Sequence, residues 1–494
     1  MTKPTVSPPQ VKKEFHKITQ HGETRIDPYH WIRGKGQDDW KDVLKDPSVL
    51  DAEVRTHLEA ENDYTKSHLD QFADLTQTIG DELVSRIIPD DSGVPTKDGN
   101  WEYWAQFEKG ANYVSQMRRN LTTGIEEVLF DGDKESKGHK FFSVSTVSHS
   151  PDHKTLAIGV DTEGSEYYKI KFRDIETGQE QTETLERCSG GVTWAPDSAS
   201  VYYVECDDEH RPIRLKHHVL GTDPKNDTLL LEETRPGLVL SVGKSFSGEY
   251  IFVTSSGQDA SEVSFLKADK DPATTPLTLI KPREEGVKYS VKHHGNYFYI
   301  HTDADGAREY KMMRTHVDNF AQEHWEDFIP YDDDITLESV TLFKDRMVRQ
   351  ERYKGLPRVI VSDFDGENYT NDYAVKVDDE AYDISYSGGY EFDTDTLRLF
   401  YQTPVTPNKT FELNMTTKDT KILRQKVLPN GHDPDEYIVE RKLIAARDGE
   451  EVPVTIIRHK STQLDGSAPL YQYGYGSYGH SIDDTFSSGA ISIV

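Results

Sequence analysis

A turn followed at once by an apolar or aromatic strand recurs seven times along this chain, and that repeat constrains the fold more than any other feature. Asp98-Gly99-Asn100 precedes WEYWAQF, Ser150-Pro151-Asp152 precedes KTLAIGV, and Ala195-Pro196-Asp197 precedes SVYYVEC. The pattern returns at Ser247-Gly248 before EYIFVTS, Gly295-Asn296 before YFYIHTD, Lys344-Asp345 before RMVRQER and Asp393-Thr394 before LRLFYQT. Successive turns are about 45 to 52 residues apart. Several units continue into a further strand and a polar hairpin, as in YKIKFRDIETGQ, SEVSFLKADKD and PRVIVSDFDGEN. One such unit cannot bury both faces of its sheet, but units stacked around an axis cover one another and leave only short edges. The expectation is a mainly β chain with a seven-bladed β-propeller over residues 79–432.

Both flanks differ from this repeat. In the first 78 residues, Val54, Leu58, Tyr64, Leu69 and Phe72 recur at helical spacing among charges, with no Gly or Pro between Asp51 and Phe72. This predicts a helical N-terminal segment whose apolar stripe lies on another body. Beyond the repeat, residues 429–435 are rich in Pro, Gly and Asp and read as a linker. Two strands joined through Asp448-Gly449 are expected next, then a short strand over residues 468–473 running into the loop Gly474-Tyr475-Gly476-Ser477-Tyr478-Gly479. A strand entering a Gly-rich loop is how α/β enzymes present backbone groups to a substrate. Residues 433–494 are too few to bury a core of their own, so they read as the incomplete start of a further domain.

Charge and cysteine usage narrow the function classes. The chain has 57 basic and 87 acidic side chains, a net charge of −30. That field repels nucleic acid and anionic membranes and favours cationic ligands or solubility. Cys188 and Cys206 are the only two cysteines in 494 residues. They form no disulfide framework, and no ligand spacing surrounds them. The start, MTKPTVSPPQVKKEFHK, lacks an apolar stretch, and no window approaches a membrane span. The expected setting is the cytoplasm.

Three separated stretches resemble the prolyl oligopeptidase family of serine peptidases. HGETRIDPYHWI (residues 21–32) is similar to its N-terminal signature, DGSAP with LYQYGYGSYGHSID (465–483) to the entry of its catalytic domain, and the propeller to its inserted domain. The resemblance runs from residue 8 to 488 and is strongest to the oligopeptidase B branch. That branch is marked by GHKFFSVSTVSHSPDHKTLAIGVDTEGSEYY, HHVLGTDPKNDTLLLEE, GLPRVIVSDFDGE and YGSYG. It implies an α/β-hydrolase domain built from the N-terminal segment and a C-terminal segment, with the N-terminal helix packed on it. The propeller would admit only short peptides, cleavage would follow Arg or Lys, and no cofactor would be needed. It also implies that Tyr475 is the oxyanion-hole tyrosine, a phenol being a good donor because it stays protonated far above neutral pH.

Such chemistry requires a serine on a Gly-flanked elbow with a histidine and a carboxylate. No serine here has Gly at both −2 and +2, and Ser477 has Tyr475 at −2. The triad is therefore expected to be absent, the chain to be truncated before its catalytic serine, and the polypeptide to be inactive alone. The alternative is a non-enzymatic propeller interaction protein derived from such a peptidase; the exposed edges PLYQYGYG and AISIV argue against it. Other clusters read as structural. In a strand, His217-His218 and His293-His294 face opposite ways and cannot share a metal. Asp207-Asp208-Glu209 and Asp332-Asp333-Asp334 lack calcium-loop spacing, and Asp433, Asp435 and Glu436 sit in or beside the linker.

Overall fold

The computed structural model describes residues 7–33, 43 and 46–493. The first six residues of the N-terminal stretch lie outside them. The chain divides into two compact units, Met1–Ile87 and Ile88–Val494.

In the first unit a hairpin pairs Lys17–Gln20 with Glu23–Ile26, turning at Gly22, whose φ of 81° suits a residue without a Cβ. The expected helix is present as α1, Ala52–Leu69, started by the Asp51 carboxylate accepting from the Glu53 amide. A 3-10 turn, Asp70–Phe72, separates it from α2, Ala73–Ser85. Within the described residues only Val54 of the α1 stripe is buried, while Leu58, Leu69, Phe72, Leu75 and Ile79 are exposed.

The second unit is built from antiparallel sheets in chain order. The first comprises Thr96–Asp98, Trp101–Gln106, Ser115–Asn120 and Glu126–Asp131. Four more four-stranded sheets span residues 239–281, 289–329, 335–374 and 383–425. Between the first of the five and the rest lies a seven-stranded sheet over residues 143–232. The expectation of seven like-sized blades is thus corrected to five four-stranded blades with one seven-stranded sheet. The cause is a single strand, Glu180–Trp194, that runs for 15 residues and pairs with Tyr168–Asp174 at one end and Ser200–Cys206 at the other. Two repeat units share it, and the bend is absorbed by bulges and by Gly190 at φ 114°. A Cβ there would lie 2.8 Å from the Ser145 side chain, so glycine is required.

Apolar residues from facing sheets make the core. Tyr250 and Phe252 meet Phe298 and Ile300, and Val348 and Val361 meet Leu397 and Leu399. Each fully buried side chain of this size contributes about 1.5–3 kcal/mol. No strand pairing joins the first four-stranded sheet to the last. Arginines hold that seam instead. Arg398 donates to the Pro95 carbonyl at 2.9 Å, Arg424 donates to the Ser92 carbonyl at 2.6 Å and pairs with Asp91, and Lys97 meets Glu391 at 2.8 Å.

Candidate functional site

The strands Tyr437–Ala445 and Glu451–His459 form the expected hairpin, with Gly449 at φ 95° in its turn. Residues 468–473 are not a strand; they are irregular and exposed. No described strand lies beside them, and a strand without a neighbour has nothing to pair its backbone groups with. The Gly-rich loop follows as a 3-10 turn, Ser477–Gly479, with Tyr478 at φ 59°. Tyr475 is 52% exposed, its ring 6.2 Å from that of His480, and its hydroxyl meets no described hydrogen-bond partner.

What fixes this segment is its contact with the propeller. Arg352, in the strand Arg346–Tyr353, reaches Glu338 at 2.9 Å and Asp483 at 2.8 Å. The Phe486 amide donates to Gln402 Oε1 at 3.3 Å, and His432 Nε2 lies 2.5 Å from the Val405 carbonyl. Arg441 donates to the Lys354 carbonyl at 2.5 Å. That approach needs Gly355, at φ 77°, where a Cβ would sit 2.8 Å from the Arg441 guanidinium and 3.3 Å from Pro453. Beneath Asp483 is a cavity of about 370 Å³ lined by Glu338, Gln350, Arg352, Asp383, Tyr386 and Asp483. It carries three carboxylates against one guanidinium. Burial raises the neighbouring Asp484 carboxyl above its usual range.

Among the described residues no serine, histidine and carboxylate are linked in series. Ser461 Oγ lies 2.7 Å from His459 Nδ1 in an exposed turn. Ser247 Oγ lies 2.8 Å from His293 Nδ1, but His293 Nε2 faces the Gly295 carbonyl at 2.8 Å instead of a carboxylate. Ser477 has no histidine against its hydroxyl.

The paired histidines divide between faces as strand geometry requires. His217 packs on Tyr202, and His218 lies against Phe172 with Nδ1 2.7 Å from Asp227, which also accepts from Tyr203 at 2.8 Å. His294 packs on Phe364, away from the Ser247 side of His293. Asp207 and Asp208 pair with Arg211 and Arg187 at 2.6 and 2.7 Å, Asp332 accepts from the Asp334 amide at 2.9 Å, and Asp433 caps a 3-10 turn. Cys188 and Cys206 are free and buried; burial pushes both thiols up, Cys206 to about 11. One cluster escaped the sequence reading. Asp98, His149 and His153 offer ligand atoms within 4.8 Å of one another. These groups are also spoken for by hydrogen bonds, His149 to Asp98 at 2.9 Å and His153 to Tyr103 at 2.7 Å. Burial pushes the Asp98 carboxyl up, but the His149 hydrogen bond and nearby cationic groups outweigh it and hold it below the usual range.

The chain thus joins a propeller to a hairpin and a Gly-rich segment held against it, and comparison with known proteins places that arrangement. Residues 8–426 match the model of the prolyl oligopeptidase N-terminal β-propeller domain. Dipeptidyl aminopeptidase BI of Pseudoxanthomonas mexicana is 32% identical over 99% of this chain and 68% of its own length. Protease 2 of Moraxella lacunata is 27% identical over 97% and 67%. Oligopeptidase B from Leishmania major superposes with a TM-score of 0.88 at 27% identity, covering 97% of this chain and 69% of that one. The chain belongs to the prolyl oligopeptidase family of serine peptidases and stands close to oligopeptidase B. No described helix is long and apolar enough to cross a membrane.

Proposed function

We propose that this chain supplies the peptide-admitting propeller and the oxyanion donor of a serine oligopeptidase that cleaves short peptides after Arg or Lys. The observation that carries this is the Tyr475 hydroxyl, without a hydrogen-bond partner among the described residues, in a Gly-flanked loop anchored to the propeller through Arg352 and Asp483. A phenol so placed can donate to an oxygen that gains negative charge. Support for basic peptides comes from the net charge of −30, the carboxylate-rich cavity under Asp483, and relatives named oligopeptidase B. The α/β-hydrolase assignment of residues 433–494, and the packing of α1 on that domain, rest on the family resemblance. The lack, among the described residues, of a serine, histidine and carboxylate linked in series supports the reading that these 494 residues alone do not turn over substrate. Two free buried thiols fit a cytoplasmic setting.

The test has two arms. The purified chain is assayed on chromogenic Arg and Lys amides, with no turnover expected; hydrolysis abolished by a serine-directed inhibitor would refute the inactivity. Binding of fluorescent tetrapeptides is compared in parallel. An Arg peptide is expected to bind more tightly than its Gln counterpart, and equal binding would refute the specificity.

A further inference from the structure

We propose that the cavity where the first strands of the third to sixth sheets end is a binding site for a small oxyanion of carboxylate or phosphate chemistry, held by Lys244 and Lys292. The cavity measures about 480 Å³ and lies among the strand ends Val239–Lys244, Tyr289–His294 and Ile335–Leu342, together with Gly388 and Gly389. The first strands of these four sheets all bring their C-terminal ends to the cavity, and in the fifth sheet that end is opposite the turn between its second and third strands. Their ends therefore lie away from the hairpin turn at Lys354-Gly355, on which the 437–459 strands rest. The site is separate from the loop of Tyr475.

Three observations converge on an anion. The two lysines are the cations of the cavity lining, hydroxyls of Ser241, Thr254 and Thr341 accompany them, and no Asp or Glu lines it. In a chain with 87 acidic side chains, a cavity free of them is out of keeping with the rest of the surface. Second, the two buried lysines and half-buried Lys216 are paired with carboxylates: Lys281 with Glu284 at 2.7 Å, Lys311 with Asp305 and Asp327 at 3.1 Å each, and Lys216 with Glu205 at 2.5 Å. Among the described residues neither Lys244 nor Lys292 has a carboxylate within ion-pair distance. Burial pushes both amines below their ordinary range; Asp98 partly offsets this for Lys244, and nothing offsets it for Lys292. Third, the remaining basic group on the wall, His293, has both ring nitrogens engaged, by Ser247 and the Gly295 carbonyl, and burial pushes its proton affinity down. An uncompensated ammonium in a confined polar cavity is a cost that a bound oxyanion removes, through charge-assisted hydrogen bonds stronger than neutral ones.

The anion has two possible sources, free phosphate or a peptide carboxylate, and the proposal stands whether or not the chain serves a peptidase. The experiment is calorimetric titration of the full chain at low salt and neutral pH with inorganic phosphate, acetyl-dialanine, and acetyl-dialanine amide. Saturable binding of phosphate or of the free acid, with none of the amide, is expected, and which one binds identifies the source. Lys292→Met and Lys292→Gln are expected to weaken binding roughly 10-fold or more, with Lys109→Met, on an exposed loop, unchanged. Without added anion, Lys292→Met should raise the thermal midpoint, since it removes the uncompensated charge. Independently of any variant, reductive ¹³C-methylation makes the Lys292 amine visible, and its titration should move to higher pH in saturating anion. Absence of saturable binding, binding unchanged by either Lys292 substitution, or a Lys292 titration indifferent to both anions would overturn the proposal.

Discussion

Arg352 and Asp483 meet at 2.8 Å, joining a propeller strand to the segment that follows the Gly-rich loop. The same guanidinium holds Glu338 at 2.9 Å, so it is shared between two carboxylates. Both partners remain partly solvated, and screening limits the pair to about 1 kcal/mol. Arg352→Ala should therefore leave the propeller folded and loosen residues 470–490. Amide exchange there is expected to speed up by roughly 5-fold, the equivalent of about 1 kcal/mol. Unchanged exchange would mean that other contacts hold the segment.

Gly355→Ala tests the close approach of the hairpin. The substitution imposes a Cβ at φ 77° and 2.8 Å from Arg441. Left-handed strain and the clash together should cost about 1–2 kcal/mol. The denaturant midpoint should fall accordingly, and trimming the clash with Arg441→Ala should recover part of the loss.

Asp227→Ala removes a carboxylate that serves Tyr203 and His218 at once, at 2.8 and 2.7 Å. Its side chain is almost wholly buried, and His218 Nε2 already lacks a described partner. Two further polar groups would be left unpaired, a loss of about 3–5 kcal/mol by the standard of broken buried pairs. Urea unfolding should show a much lower midpoint at unchanged slope. A loss below about 1 kcal/mol would show that water replaces the carboxylate.

Stability should decline in two stages on acidification. Burial lowers the folded-state affinity of His217, His293 and His301 for protons. Each group's contribution is present above the unfolded histidine value of about 6.5 and is lost as pH falls from there toward the lowered folded value. Glu233 forms the second stage. Burial raises its carboxyl, but hydrogen bonds from Ser255, the Arg235 amide and Arg283 prevail and hold it below the usual range. Its contribution is present above about 4.3 and is lost below. The thermal midpoint against pH should thus fall first between about pH 7 and 5. His301→Phe should flatten that first stage.

Tyr475→Phe removes a hydroxyl with no described protein partner, so the thermal midpoint should not move. In a hydrolysing assembly that includes this chain, turnover should fall by roughly 10²–10³ with little change in KM. An unchanged turnover would remove Tyr475 from the oxyanion hole.

Local chemistry made much of this fold readable. Each turn-strand unit announces itself within a dozen residues, as does the Asp51-capped helix. The merger of two units does not, because it depends on hydrogen bonds continuing past Gly190-Gly191, and a pair of glycines in sequence reads equally well as a break. Residues 468–473 show the converse: LYQY has strand composition, but a strand also requires a neighbour. The Arg352–Asp483 pair and the Asp98–His149–His153 group were invisible because their members are distant in the chain and individually ordinary. Tyr475 was found by family likeness; its environment alone shows an exposed phenol.

The 15-residue strand Glu180–Trp194 also distributes stiffness around the ring. Where two units share a strand, moving them apart means breaking backbone ladders, so that arc behaves as one plate. Between the first and last sheets only side chains clasp, chiefly Arg398 and Arg424 on the 91–96 stretch. Under thermal agitation the ring should yield at that clasp before it yields anywhere along the plate.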